Sequence, residues 1–128
     1  MPNSERPKVL VVDDDPTHLQ LYSLLLEGGG CDAISLFVEI DGPGECPNAD
    51  IALVLLDYRL NSVKTAEEIA RDLRERFPSA PLVVLSDLTA LPAGMEPLAD
   101  GFIRKGNPQE FLATIHKVLE KHFDGQVT

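Results

Sequence analysis

Hydrophobic residues occur in five short runs along the chain, and the spacing of those runs predicts the elements of the fold. Polar stretches with helical spacing, or stretches rich in glycine and proline, separate the runs. An apolar run without alternation is typical of a strand that is buried on both faces. The predicted strands, in chain order, are 8–12, 33–38, 51–56, 81–86 and 101–105.

Three of the polar segments carry the spacing and the capping residues of a helix. Each begins with a side chain that can accept hydrogen bonds from the free backbone N–H groups of a first helical turn: Asp15, Thr65 and Asn107. Proline follows two of these caps, at a position that favours helix initiation, and glycines 28–30 end the first helix. The sequence therefore predicts helices after the first, third and fifth strands.

The remaining two connections, 39–50 and 87–100, hold too much glycine and proline for regular helices. Strands that alternate with helices indicate a parallel sheet with right-handed crossovers and helices on both faces. We predict an α/β fold with a doubly wound, five-stranded parallel sheet in the flavodoxin-like order 2-1-3-4-5, in which the second and fourth helices are short or irregular. The chain is expected to form a single domain over 1–128, with its core at about 7–123.

Composition supports a globular protein and narrows its partners. The chain has 128 residues, of which 44% are hydrophobic and 25% charged. A net charge of −10 disfavours direct contact with nucleic acid or anionic membrane. The two cysteines lack metal-binding spacing and no long apolar segment lies near the start, so we expect reduced thiols, no membrane insertion and a cytoplasmic location.

Polar residues end or directly follow four of the predicted strands: Asp13 and Asp14, then Asp57, Ser86 and Lys105. In the predicted sheet the strands' carboxyl ends meet where the strand order reverses, which is where such folds bind ligands. Three carboxylates together repel one another, and Mg²⁺, which takes oxygen ligands, would relieve that repulsion. Aspartate can accept a phosphoryl group, and a lysine and a hydroxyl can hold its oxygens. The pattern predicts phosphoryl transfer at this edge.

Four motifs resemble the receiver domain of two-component response regulators, of the chemotaxis-regulator kind. They are VLVVDDDP, LVLLDYRL, PLVVLSD and DGFIRKG, in this order and at suitable separations. The resemblance covers nearly the whole chain. It implies a phosphorelay protein that carries an aspartyl phosphate and switches conformation to control a partner protein or an output domain.

The resemblance also implies a role for each site residue. Asp57 is the expected phosphoacceptor. Asp13 and Asp14 are expected to bind Mg²⁺, Asp14 more directly, together with Asp57 and the backbone carbonyl of Arg59. The phosphoryl donor would be a phosphohistidine on a histidine kinase or a histidine phosphotransfer protein.

Three further positions are implied to read the phosphoryl group. Lys105 is expected to contact it, Ser86 to act as the switch hydroxyl, and Phe102 to change rotamer on phosphorylation. Such a domain is not an enzyme acting on other substrates, but it promotes its own phosphorylation and dephosphorylation.

Some positions depart from the family pattern, and they motivate alternatives. Asn61 and Gly106 stand where the family usually has proline, and Thr65 where it usually has glycine. Without proline, the energetic default for the Lys105–Gly106 peptide bond is trans, although the family geometry often imposes cis. With an irregular fourth helix, these departures suggest a pseudo-receiver that binds proteins without phosphorylation. A phosphohydrolase is a third hypothesis, but Arg59 occupies the position where that class has its acid/base aspartate.

The three histidines, His18, His116 and His122, have no partner at ligand spacing in the sequence. We therefore expect them to be surface or helix residues.

Overall fold

A computed structural model describes residues 6–60 and 62–127 of the chain, with side chains up to residue 121. Asn61 and the side chains of His122 and Phe123, named above, lie outside the described residues. The strands are β1 (Lys8–Asp13), β2 (Asp32–Glu39), β3 (Gly42–Pro43), β4 (Leu53–Asp57), β5 (Leu82–Ser86) and β6 (Gly101–Arg104). The helices are α1 (Pro16–Gly28), α2 (Ala66–Arg76) and α3 (Pro108–Val127), with one 3₁₀ turn at Ala93–Met95.

The sheet has the order β3-β2-β1-β4-β5-β6. Five of its strands are parallel and follow the predicted 2-1-3-4-5 order, which is confirmed. The one additional strand among the described residues, β3, was not predicted, and it pairs antiparallel with β2 at the sheet edge. Gly42 makes the tight return possible with a φ of +132°, a conformation that glycine adopts readily. A strand of two residues is too short to leave a hydrophobic run in the sequence.

The two connections predicted to be irregular differ from each other. Among the described residues between β2 and β4, a hairpin and extended coil replace the second helix altogether, which corrects the prediction of a short or irregular helix there. Pro43, Gly44 and Pro47 explain the difference, because each disfavours helix propagation. The fourth connection keeps only the 3₁₀ turn, as predicted, and its Met95 is fully buried.

The predicted caps begin all three helices. Asp15 accepts a hydrogen bond from the backbone N–H of Thr17 at 2.9 Å. Thr65 and Glu68 form a reciprocal capping box at 3.2 and 2.9 Å. Asn107 accepts from two backbone N–H groups of the first turn of α3, at 3.1 and 3.2 Å. These local hydrogen bonds satisfy donors that a helix cannot satisfy itself, so they fix where each helix begins.

Each face of the sheet carries its own hydrophobic core. Alternate residues of the central strands point to opposite faces, so Val11 belongs to one core and Val12 to the other. Helices α1 and α3 cover the first face, whereas α2 and the irregular segment around Met95 cover the second. This double covering holds the parallel strands in register and fixes where their carboxyl ends meet.

Candidate functional site

The parallel register brings three polar residues together at the carboxyl ends of the central strands. Asp13 ends β1, Asp57 ends β4 and Ser86 ends β5. Their exposed fractions are only 1%, 3% and 0%. Polar groups are rarely buried to this extent without partners, so the contacts of each decide what the site can do.

The Asp57 carboxylate has a defined partner on each oxygen. Lys105 Nζ donates to Oδ2 at 3.0 Å, and the backbone N–H of Arg59 donates to Oδ1 at 2.9 Å. Lys105 is itself only 22% exposed, so its ammonium meets Asp57 in a partly desolvated cleft. The lysine comes from the loop after β6 and the aspartate from β4, and the arrangement places a positive charge beside the buried Asp57 carboxylate.

Asp13 is held in an environment that disfavours its ionised form. Burial, followed by the hydrogen bond to Asp57 and the negative charge of Asp57, raises the pKa of Asp13 to about 8. A hydrogen bond from the backbone N–H of Asp15 to Oδ1, at 3.1 Å, opposes the shift only in part. When Asp13 is ionised, its Oδ2 has no hydrogen-bond donor among the described residues. A proton on Asp13 provides the missing donor toward Asp57.

The acidic residues fit a divalent cation. Asp13, Asp57 and His18 each place one ligand atom within 4.8 Å of the others. Asp13 and Asp57 could hold such an ion, which would supply a partner for the orphaned Oδ2 of Asp13 and would offset the repulsion between the two buried carboxylates. Asp14 is half-buried beside this group and adds a small further rise to the pKa of Asp13.

Ser86 and Phe102 lie on the two strands at the other side of Asp57. The Ser86 hydroxyl accepts a hydrogen bond from the backbone N–H of Leu88 at 3.1 Å, which leaves its own proton available to donate. The backbone of Lys105 is anchored to Ser86, since its N–H donates to the Ser86 carbonyl at 2.8 Å. Phe102 is half-buried and packs against the core on the α2 side of the sheet.

His18 lies on helix α1, in agreement with its prediction as a surface or helix residue, but sequence analysis missed that its side chain approaches the site. Its Nδ1 lies 3.5 Å from Asp13 Oδ2 and its Nε2 lies 3.6 Å from Asp15 Oδ2. His18 stands three residues after the helix cap, and side chains in a helix tilt toward its N-terminus. In a parallel α/β fold that direction leads back to the end of the preceding strand, a geometric signal that ligand spacing along the chain does not show. His116 instead contacts the Gly29 carbonyl at 2.8 Å.

Arg59 lies at the mouth of the cleft. Its Nε is 3.2 Å from Asp87 Oδ1, and the two side chains are 64% and 50% exposed. The pair therefore joins the loop after β4 to the loop after β5 above Asp57. On the far side of the cleft the Lys105–Gly106 bond, which the sequence left open, is trans, since the described residues contain no cis peptide bond.

The chain is similar in sequence to two curated response regulators, although no family model matches it. It is 28% identical over 122 residues to the DNA-binding dual master transcriptional regulator RpaA of Synechocystis, covering 90% of this chain and 50% of RpaA. It is also 28% identical over 122 residues to the DNA-binding response regulator MtrA of Mycolicibacterium smegmatis, covering 93% of this chain and 53% of MtrA. The chain thus spans about half the length of the curated relatives it matches.

Solved structures show the same fold. A CheY-like receiver domain protein from Methanospirillum hungatei matches with a TM-score of 0.79 at 21% identity, covering 94% of this chain and 99% of that one. The chemotaxis response regulator CheY4 of Vibrio cholerae matches with a TM-score of 0.74 at 21% identity, covering 89% of this chain and 99% of CheY4. These likenesses establish the architecture.

The geometry of the cleft bears on the pseudo-receiver alternative. The acidic residues and the lysine that a phosphoryl site requires lie together in one cleft, so the pseudo-receiver hypothesis gains no support. Within the described part of the chain, none of the helices combines the length and the apolar character needed to cross a bilayer. The chain therefore has the fold of CheY-like receiver domains, and its sequence is similar to those of the response regulators named above.

Proposed function

We propose that Asp57 accepts a phosphoryl group from a phosphohistidine on a histidine kinase or a histidine phosphotransfer protein. The observation that carries the proposal is the buried Asp57 carboxylate, which Lys105 contacts at 3.0 Å beside a second buried carboxylate. A carboxylate oxygen of Asp57 attacks phosphorus, a P–O bond forms, and the P–N bond breaks with its electron pair going to the imidazole. In such a transfer the protein acts mainly by positioning and by neutralising charge.

The neighbouring residues prepare Asp57 for this step. Asp13, Asp14, Asp57 and the backbone carbonyl of Arg59 would hold Mg²⁺, which supplies positive charge for the phosphoryl oxygens. Lys105 already donates to Asp57 Oδ2, so its ammonium can follow that oxygen to the phosphoryl group. Because the chain supplies the phosphoacceptor, the lysine and the ligands for Mg²⁺, the domain would promote its own phosphorylation and the later hydrolysis of its aspartyl phosphate by water.

The phosphoryl group would then shift a conformational equilibrium. The Ser86 hydroxyl keeps a proton to donate and lies at the end of the strand next to Asp57, so it is placed to move toward a phosphoryl oxygen. Lys105 is tied to the Ser86 backbone, which couples the two groups, and Phe102 lies three residues before that lysine. A phosphoryl group that contacts both groups better in one state favours that state.

The proposed output is contact with a partner protein or an output domain. The receiver domain is proposed to extend over 1–128, to work in the cytoplasm and to make no direct contact with nucleic acid. The relatives RpaA and MtrA are DNA-binding proteins of about twice the matched length. Their receiver-like parts therefore belong to longer regulators, and this supports the proposal of a regulated partner or domain.

The first test is phosphorylation by a small acyl phosphate in the presence of Mg²⁺, followed by intact mass spectrometry. The native protein should gain the mass of one phosphoryl group, and Asp57→Asn should gain none. Asp72→Asn is the matched control, because Asp72 is an exposed aspartate on α2 that pairs with Lys64. A native protein without the gain, or an Asp57→Asn protein with it, would overturn the proposal.

A further inference from the structure

His18 adds a nitrogen atom to a cluster that is otherwise made of oxygen. We propose that the site binds a divalent first-row transition-metal ion in preference to Mg²⁺, with His18 Nδ1 as a ligand beside the carboxylates of Asp13 and Asp57. This inference rests on the proposed function, because it uses the same acidic cluster. It concerns which ion the cluster selects, and it can be tested without phosphoryl transfer.

The distances suit a shared ion better than a direct contact. His18 Nδ1 and Asp13 Oδ2 are 3.5 Å apart, and neither atom has a hydrogen-bond partner among the described residues. Metal–ligand bonds of 2.0–2.2 Å in tetrahedral or octahedral geometry place neighbouring ligand atoms about 3.0–3.5 Å apart. The Asp57 ligand atom lies within 4.8 Å of both. His18 Nδ1 and Asp13 Oδ2 are therefore placed to bind one ion between them, and the Asp13 side chain is only 1% exposed.

The rest of the His18 ring is also arranged as in a metal-bound histidine. Its second nitrogen, Nε2, faces Asp15 Oδ2 at 3.6 Å. Metal-binding histidines commonly present their other nitrogen to a carboxylate, which orients the ring and strengthens the ligand. Tyr22 packs against the ring with centroids 5.9 Å apart, which limits how far it can turn away. Helix α1 thus holds Nδ1 toward the carboxylates.

The donor set determines the class of ion. Mg²⁺ takes oxygen ligands and has little affinity for imidazole, whereas Co²⁺, Ni²⁺ and Zn²⁺ bind imidazole nitrogen and carboxylate together. A cluster with only carboxylate and carbonyl ligands would give these ions less advantage. With His18 included, the advantage of a transition-metal ion over Mg²⁺ should depend on one side chain.

The experiment titrates Co²⁺ and, separately, Mg²⁺ into the full chain by calorimetry, while the visible spectrum of Co²⁺ reports its ligands. Native protein should bind Co²⁺ more tightly than Mg²⁺. His18→Leu should weaken Co²⁺ binding about 10- to 100-fold and change its spectrum, while leaving Mg²⁺ binding unchanged. His116→Leu is the matched control, because His116 is an exposed helical histidine away from the cluster, and it should behave as native.

A second measurement uses the native protein and needs no substitution. In the native protein, Zn²⁺ should shift the imidazole ¹⁵N resonances of His18 and leave those of His116 in place. Equal Co²⁺ affinity in native and His18→Leu proteins, or a His18 resonance that Zn²⁺ does not move, would overturn the inference.

The outcomes also separate this inference from the proposed function. Mg²⁺-dependent phosphorylation of Asp57 together with Co²⁺ binding that ignores His18 would refute only the inference. Co²⁺ binding through His18 in a protein that never gains a phosphoryl group would refute only the proposed function.

Discussion

The middle of the central strands and their carboxyl ends are equally buried but contribute to stability in opposite ways. Leu55 and Asp57 lie two residues apart on β4 and are 1% and 3% exposed. Burying the leucine removes apolar surface from water and stabilises the fold. Burying the carboxylate beside Asp13 places two acids in a poorly solvated cleft, which costs free energy. The free energy gained by burying the apolar middle of the sheet therefore offsets the cost of burying Asp13 and Asp57 at its carboxyl end.

The largest expected effect comes from weakening the middle. Leu55→Ala should lower the free energy of unfolding by about 2–5 kcal/mol, because it leaves a cavity among side chains that cannot fully collapse. Urea denaturation followed by circular dichroism measures the change. The control Leu24→Ala removes a leucine that is 66% exposed and should stay within about 0.5 kcal/mol of native. Similar losses in both variants would mean that the middle of β4 has no special contribution.

A smaller change in the free energy of unfolding, of opposite sign, is expected when Asp13 at the end of β1 is replaced. The pKa of Asp13 in the folded protein is about 8, against an ordinary value of 3.8. Between these values the folded state holds a proton that the unfolded chain has lost, so stability should fall as pH rises. Asp13→Asn should remove this fall and, at about pH 8 without metal, raise the free energy of unfolding by about 1–3 kcal/mol. This is less than about 1.4 kcal/mol per pKa unit gives over the whole shift, because relaxation of the cleft and entry of water reduce the cost of the buried charge.

Urea denaturation of both proteins at about pH 5 and about pH 8, with a chelator present, checks this prediction. The difference between the two proteins should be small at the lower pH and larger at the higher one. An Asp13→Asn protein that loses stability with pH as steeply as native would show that Asp13 is not the group responsible.

The smallest effect is expected at the mouth of the cleft, where both partners of an ion pair are exposed. Arg59→Ala should change the free energy of unfolding by only about 0–1 kcal/mol, because water screens Arg59 and Asp87 and ordering their side chains costs entropy. A double-mutant cycle with Asp87→Ala isolates the interaction between them. A coupling energy well above about 1 kcal/mol would mean that Arg59 and Asp87 interact as strongly as a buried ion pair, which would contradict this prediction.

Sequence patterns predicted the elements whose causes are local. The apolar run that ends at Asp57 predicted β4, and the capping box of Thr65 and Glu68 predicted where α2 begins. The strand order also followed, because alternating strands and helices permit few parallel arrangements. The hairpin to β3 was missed because a two-residue strand has no periodicity, and only its pairing with β2 defines it.

The meeting of the strand-end residues was predicted from the sequence, whereas the position of His18 was not. Asp13, Asp57, Ser86 and Lys105 follow apolar runs, so their approximate meeting point could be foreseen from strand order alone. His18 was not foreseen, since its distance to Asp13 depends on how α1 packs against β1 and on the rotation of the helix.

By itself, the sequence determined the strands, the helix caps and the set of polar residues at one edge, because each depends on interactions within a few residues or on alternation along the chain. Only the tertiary structure decided the contact of Lys105 with Asp57 across 48 positions, the raised pKa of Asp13 and the approach of His18. The physical reason is that electrostatic energies depend on distance in space and on burial, and neither quantity exists until the two hydrophobic cores have packed.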